Sequence, residues 1–336
     1  SVDADAVVLA IGVAPETKLA KDAGLEIGKT GAIKVNDVFQ TNDPDIYAIG
    51  DAIELVNRIT GEPGRLALAG PAQKQARAAV NHMCGIAESG NSLSYLGSSC
   101  IRIFGLNAAC TGLNARAASL AQIPHDFVYV LPQDKVGLMP GSHYMGLKLI
   151  FEKPTGKILG AQAIGKGDVV QRINTIAALI SKGGTLEDLR DLELCYAPVF
   201  GTAKDVDNMA ALVGLNVLTG QYQQVPVTEV RKLVEENACI IDVREENEYA
   251  AGHLKNAINI PLTQLRQRLD EIDKTKPVYV HCRTSQRSYY AIRCLQGNGF
   301  NNIINISGSF LGICLYEYFN DKTTDREPIV TAYNFN

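Results

Sequence analysis

One cysteine stands where a strand end and a helix start would turn it into a nucleophile. Pro277-Val278-Tyr279-Val280-His281-Cys282 is an apolar run of buried-strand type ending in Cys282, and Arg283-Thr284-Ser285-Gln286-Arg287-Ser288 runs straight into a helical pattern. Such a junction gathers free backbone N–H groups and the positive end of a helix dipole at the sulfur. Arg283 and Arg287 add charge, and each of these features favours thiolate over thiol. A second candidate lies near the front, in Asp45-Ile46-Tyr47-Ala48-Ile49-Gly50-Asp51. Gly50 at a strand end lets a backbone approach a ligand closely, and Asp51 offers a carboxylate to sugar-like hydroxyls.

Four residues separate Cys282 from Arg287. The cysteine phosphatases close a phosphate-sized loop that is one residue longer, and here that position is Ser288. The smaller loop suits a sulfur atom, carried as a persulfide on Cys282, better than a phosphoryl group.

The elements that must position these residues fall into three patterns. Residues 1–92 alternate strand and helix: an apolar run at Ala6–Ile11, a short helix over Thr17–Asp22, strands at Ile33–Val35 and Asp45–Asp51, and a helix over Pro71–Met83. Residues 93–220 read as α+β. Strands at Cys100–Phe104, Asp126–Val130, Gly146–Glu152 and Lys157–Ile164, with a turn at Lys153–Gly156, precede helices over Val169–Ser181, Leu186–Arg190 and Lys204–Leu218. A polar linker, Gly220–Pro226, leads to a doubly wound α/β segment over 221–336. It has helices at Thr228–Glu236, Gln264–Asp270 and Ser285–Gln296 and strands at Cys239–Val243, Val278–His281 and Ile303–Ile306.

With 336 residues, 46% of them hydrophobic and 20% charged, the chain can bury two or three cores, which excludes disorder. The formal charge of -4 supplies no global field toward nucleic acid or an anionic membrane, so any anion must be met locally. No apolar run approaches the length of a membrane span, and Ser1–Asp5 lacks a signal-peptide pattern. The eight scattered cysteines point to a reducing compartment, hence the cytoplasm, and none has zinc-ligand spacing, so no metal is expected. Cys84, Cys100, Cys110, Cys239, Cys294 and Cys314 fall in apolar patterns and read as core.

The loop around Cys282, together with Ile241-Asp242-Val243-Arg244-Glu245, Glu248-Tyr249, Gly252-His253-Leu254 and Ala257-Ile258-Asn259-Ile260-Pro261, resembles the rhodanese sulfurtransferases. The resemblance implies that Cys282 carries sulfur while loop amides hold the persulfide. It makes Arg283, Ser285 and Arg287 the loop's working residues and Asp242, Arg244 and His253 structural supports. Gly308-Ser309 stands where many members have Gly-Gly, a change expected in the loop wall.

Thr41–Ala52, with Ala10-Ile11-Gly12-Val13-Ala14-Pro15 upstream, resembles the pyridine nucleotide-disulfide oxidoreductases. That likeness implies FAD and NAD(P)H as cofactors, with Gly12, Pro15, Gly50 and Asp51 near them. Pro140-Gly141, Leu147–Phe151 and Lys157–Gln162 are similar to the family's dimerisation domain, implying a homodimer through 93–220. Leu192–Asp205 with Asn208-Met209-Ala210 resembles the coenzyme A disulfide reductases that carry a C-terminal rhodanese domain. Tyr196 and Lys204 would then meet coenzyme A. Leu138-Met139 and Pro198-Val199 depart from the Tyr-Tyr and Pro-Pro common in that group, leaving the identity of the sulfur substrate open.

No G-x-G-x-x-G occurs, and none of the eight cysteines matches the family's redox motif. The sequence is therefore expected to be the C-terminal part of a coenzyme A disulfide, persulfide or polysulfide reductase, keeping dimerisation and sulfur transfer and holding flavin weakly or not at all. The alternatives are an NADH oxidase or peroxidase and a non-catalytic, dimeric sulfur-carrier module.

Overall fold

The computed structural model describes residues 4–86 and 93–335. They form two compact units, divided between Gly97 and Ser98. In the first unit a short helix α1 (Lys18–Asp22) precedes β1 (Leu55–Asn57), β2 (Pro63–Gly64), α2 (Ala69–Met83) and β3 (Ser94–Tyr95). The three strands make a small sheet in the order β2-β1-β3. Its core gathers Phe39, Ile53, Leu55, Ala78, Ala79 and Leu93.

Three expectations for this unit are corrected. The run Ala6–Ile11 is no strand: Val7, Val8, Leu9 and Ile11 are all more than 80% exposed. An apolar run becomes a buried strand only where neighbouring strands pair with it and cover both faces, and none of the described residues does so. Ile33–Val35 makes only single-residue bridges, Ile33 with Ile27 and Ile53. Asp45–Asp51 bridges once, Tyr47 to Gln40, and ends in a 3-10 turn over Gly50–Ala52.

The second unit holds two five-stranded sheets. Antiparallel strands β4 (Ser99–Ile103), β5 (Leu106–Gly112), β6 (His125–Val130), β7 (Met145–Glu152) and β8 (Ile158–Gly165) lie in the order β4-β5-β8-β7-β6. Helix α3 (Ala115–Leu120) joins β5 to β6; α4 (Val169–Ser181), α5 (Leu186–Asp191) and α6 (Val206–Leu218) follow β8. Strand β7 reads as a nearly continuous buried run because α6 packs on it and β8 and β6 flank it. Strand β5 and helix α3 were not expected, since Leu-Asn-Ala-Ala-Cys-Thr-Gly has little β-branched character.

The other sheet is wholly parallel. Strands β9 (Gln223–Val225), β10 (Cys239–Asp242), β11 (Ile258–Asn259), β12 (Val278–His281) and β13 (Ile303–Ile306) lie in the order β11-β10-β12-β13-β9. Around it run α7 (Val230–Glu235), α8 (Glu246–Ala250), α9 (Gln286–Gly297) and α10 (Ser309–Thr323). Alternate residues feed two apolar layers: Ile241, Val278 and Val280 face the one with Ala291, Ile292 and Leu295, while Ile240 and Ile306 face Phe310 and Ile313.

The expected linker Gly220–Pro226 thus contains an edge strand, because backbone pairing with β13 outweighs its polar side chains. Gln264–Asp270 forms two 3-10 turns in place of a helix. Cys84 and Cys100, expected in cores, are exposed, whereas Cys314 is buried. Among the described residues no helix is long and apolar enough to cross a membrane.

Candidate active site

The carboxyl ends of adjacent parallel strands are where open α/β sheets place their ligands. At the end of β12 the chain reaches Cys282, 1% exposed, and three residues later Ser285 turns through the left-handed region at φ 77° to start α9. The first N–H groups of that helix have no acceptor within it and point back at the loop. From the end of β13 a second loop, Ser307-Gly308-Ser309, runs alongside. The Cys282 amide donates to Ser309 Oγ at 3.1 Å, and that hydroxyl lies 4.0 Å from Cys282 Sγ.

Ser285 does not cap its own helix. Its hydroxyl donates to the Ile306 carbonyl at 3.3 Å, accepts from the Gly308 amide at 3.1 Å and sits 3.0 Å from Ser309 Oγ. The amides of Phe310 and Leu311 donate to the carbonyls of Cys282 and Arg283 at 3.0 and 3.1 Å. The two loops are therefore laced together, with the thiol between them.

The two arginines are placed differently from each other. Arg287 donates twice to the Glu248 carboxylate, at 2.5 and 2.7 Å. This pairing raises the Arg287 guanidinium and holds the Glu248 carboxyl below the usual range. Arg283, 8% exposed, donates to the carbonyl of Asn334 at 3.0 Å, and burial pulls its guanidinium down. Arg287 thus directs its charge at Glu248, correcting the expectation that it adds charge at the thiol, and Arg283 is turned toward the Asn334 carbonyl.

Asp242 and Arg244 are buried beneath the loop, with Arg244 Nη2 2.6 Å from Asp242 Oδ2. Arg244 also donates to the Gly252 carbonyl at 2.8 Å and lies 4.0 Å over the Phe310 ring. Burial pushes the Asp242 carboxyl up, but His281 and Arg244 together hold it below the usual range. His281, fully buried, has Nε2 3.8 Å from Asp242 Oδ2, and burial lowers its pKa. His253 stacks on Tyr249 at 3.7 Å and so braces the turn after α8. Glu248 and His281 were not singled out as site residues, though both stood in segments already quoted; Ser309, expected in the loop wall, stands beside the thiol.

Tyr196 is 49% exposed and Lys204 is exposed, both on the segment between α5 and α6. Beside them a cavity of about 20 Å³, the size of one water, is lined by Arg172, Cys195, Phe200, Asp205 and Asp207. Arg172 pairs with Asp205 at 2.8 Å, and Asp207 is fully buried with its carboxyl pushed well up by burial.

Gly50, at φ 74°, donates its amide to the buried Gln75 at 2.7 Å, and Asp51 beside it is exposed. That carboxylate suits the hydroxyls of a flavin side chain. Gly12 is exposed and Pro15 half-buried, and among the described residues no atom lies within 4 Å of where a Gly12 Cβ would stand.

The model of the rhodanese-like domain matches residues 226–315, that of the pyridine nucleotide-disulphide oxidoreductases matches 1–76, and that of their dimerisation domain matches 99–206. The chain belongs to the pyridine nucleotide-disulphide oxidoreductases and carries a rhodanese-like domain. It is an oxidoreductase-family chain of mixed α/β and α+β construction.

The structure of reduced Bacillus anthracis CoADR-RHD is 42% identical, with TM-score 0.85, covering 90% of this chain and 54% of that one. An NAD-dependent persulfide reductase from A. fulgidus is 33% identical at TM-score 0.85, covering 91% of this chain and 55% of its own. A curated relative from Methanocaldococcus jannaschii, named NADH oxidase, is 34% identical over 65% of this chain and 48% of its own. The chain spans about half the length of the curated relatives it matches, several of which are named coenzyme A disulfide reductase.

Proposed function

We propose that Cys282 is a sulfur-carrying nucleophile within a reductase of coenzyme A disulfide or persulfide that uses FAD and NAD(P)H. The observation that carries this reading is a buried thiol in the short loop between β12 and α9, with its amide and sulfur both beside Ser309 Oγ. The Cys282 thiolate attacks the outer sulfur of thiosulfate, the S–S bond breaks, and sulfite leaves with the bonding pair. The product, Cys–S–S⁻, keeps one negative charge, which the loop amides and the dipole of α9 stabilise. A thiolate acceptor such as coenzyme A then attacks the outer sulfur, forming its own persulfide and releasing the Cys282 thiolate.

Tyr196 and Lys204, on one exposed segment, suit contacts to the coenzyme A thiol and phosphates, and Asp51 suits a ribityl hydroxyl. A bound flavin reduced by NAD(P)H supplies the two electrons that cleave the persulfide or disulfide bond. On this reading residues 1–92 belong to the nucleotide-binding part, 93–220 join two copies as a cytoplasmic homodimer, and 221–336 form the sulfurtransferase domain. Its partners are small sulfur compounds, with neither nucleic acid nor membrane involved.

The test is thiosulfate:cyanide sulfur transfer by the chain and by Cys282→Ser. The reading expects activity in the first and its loss in the second; equal rates would sink it. The name of the Methanocaldococcus relative favours a second reading, an NADH oxidase. That reading expects oxygen consumption that neither coenzyme A nor Cys282→Ser alters.

A further inference from the structure

The sulfur loop is not built by the parallel sheet alone. Strand β6, at the edge of the antiparallel sheet, docks on it: Gln224 donates to the Phe127 carbonyl at 2.8 Å, and Ser307 Oγ donates to the Tyr129 carbonyl at 3.3 Å. On the same strand stands the Tyr129 ring. A Cβ added at Gly308 would stand 3.1 Å from that ring, and one at Gly312 would stand 3.8 Å from it, so the ring backs the start of α10 directly.

What it backs is the wall of the thiol. Gly308, at φ 83°, gives its amide to Ser285 Oγ, and Ser309, itself left-handed at φ 50°, accepts from the Cys282 amide. Two successive left-handed residues, the second of them not glycine, store strain that persists only where surrounding packing fixes them. Ring, glycine, Ser285 and Ser309 form a continuous line of contacts from the antiparallel sheet to Cys282.

We propose that Tyr129 is a positioning residue of the sulfur site, acting through Gly308 and Ser309 to hold the Cys282 loop in its thiolate-stabilising form. The inference rests on the reading of Cys282 as the sulfur carrier. It makes the ring the working part, because the ring and not the hydroxyl touches Gly308. Burial pushes the Tyr129 phenol up to about 12, so it stays neutral throughout the working range.

The experiment compares the full chain with Tyr129→Phe, Tyr129→Leu and Tyr129→Ala. It reads kcat and KM for thiosulfate, and the pH profile of Cys282 alkylation by iodoacetamide, followed on its own peptide by mass spectrometry. Tyr129→Phe is expected within about twofold of wild type. Tyr129→Ala is expected to lose about tenfold in kcat, the scale of a small misplacement at a reacting group, with Cys282 alkylation slowed across the profile.

Should the alanine variant fail to fold, the leucine variant decides, in a double-mutant cycle with Ser309→Ala: non-additive losses are expected and additive ones overturn the proposal. A folded Tyr129→Ala with wild-type kcat and alkylation profile also overturns it. Wild-type activity indifferent to Cys282→Ser would instead overturn the underlying reading.

Discussion

Replacing Asp242 by Asn tests whether the pair beneath the loop is a structural support. Arg244 reaches Asp242 Oδ1 through its backbone amide and Nε, both at 3.0 Å, and Oδ2 through Nε and Nη2 at 3.0 and 2.6 Å. The side chains are 0% and 1% exposed. Asn keeps one acceptor oxygen, turns donors toward a guanidinium that can only donate, and leaves a buried cation without its counter-charge. Breaking one side of such a pair costs about 3–5 kcal/mol. At a urea m-value of about 1.5 kcal/mol/M, the unfolding midpoint of the parallel sheet falls by about 2–3 M.

The pH dependence has a definite sign. The folded Asp242 carboxyl lies below its unfolded value, so the pair contributes stability above about pH 4, and that stability drains as pH falls through the folded value. Asp242→Asn should lack this acid limb. Asp242→Leu combined with Arg244→Met should recover most of the loss, since apolar groups of similar volume replace buried pairs at little net cost. The assay is urea unfolding followed by circular dichroism between about pH 2 and 8, because the acid limb lies below about pH 4. A loss below about 1 kcal/mol for Asp242→Asn would refute the argument that the pair is desolvated and tightly held.

The buried Asp207 gives the opposite sign: its folded carboxyl is raised, so it costs stability as pH climbs from the unfolded value toward the folded one. Asp207→Asn should therefore melt higher than wild type at pH 8 with the advantage vanishing below about pH 4, and a lower melting temperature at pH 8 would contradict this. Ser309→Gly relieves a left-handed side chain but leaves the buried Cys282 amide without its acceptor, so the two effects on stability should offset to within about 1 kcal/mol while sulfur transfer slows. An unchanged transfer rate would remove Ser309 from the site.

Much of the Cys282 loop was legible because its signals are local. An apolar run ending in Cys282 predicts β12, and the strand and the helix after it appear within a residue of the expected bounds. The pairing of Arg287 with Glu248 spans 39 residues of sequence, and spacing alone cannot show that their helices converge. Ser309 was expected in the loop wall, but its hydrogen bond with the Cys282 amide comes from a left-handed turn between β13 and α10 that no local pattern shows.

Strand β9 was missed because Gln223-Gln224-Val225 looks like a linker, and its pairing comes from backbone groups that any sequence possesses. The run at Ala6–Ile11 misled for the converse reason, since apolar composition says what a strand could bury but not whether neighbours are there to cover it.

The central claim, that Cys282 holds the transferred sulfur, is tested most directly by intact peptide mass spectrometry after exposure to thiosulfate and removal of excess donor. The account predicts one extra sulfur atom on the peptide containing Cys282, released by cyanide and absent in Cys282→Ser. A sulfur found instead on Cys195, Cys84 or another thiol, or retained in Cys282→Ser, would contradict it.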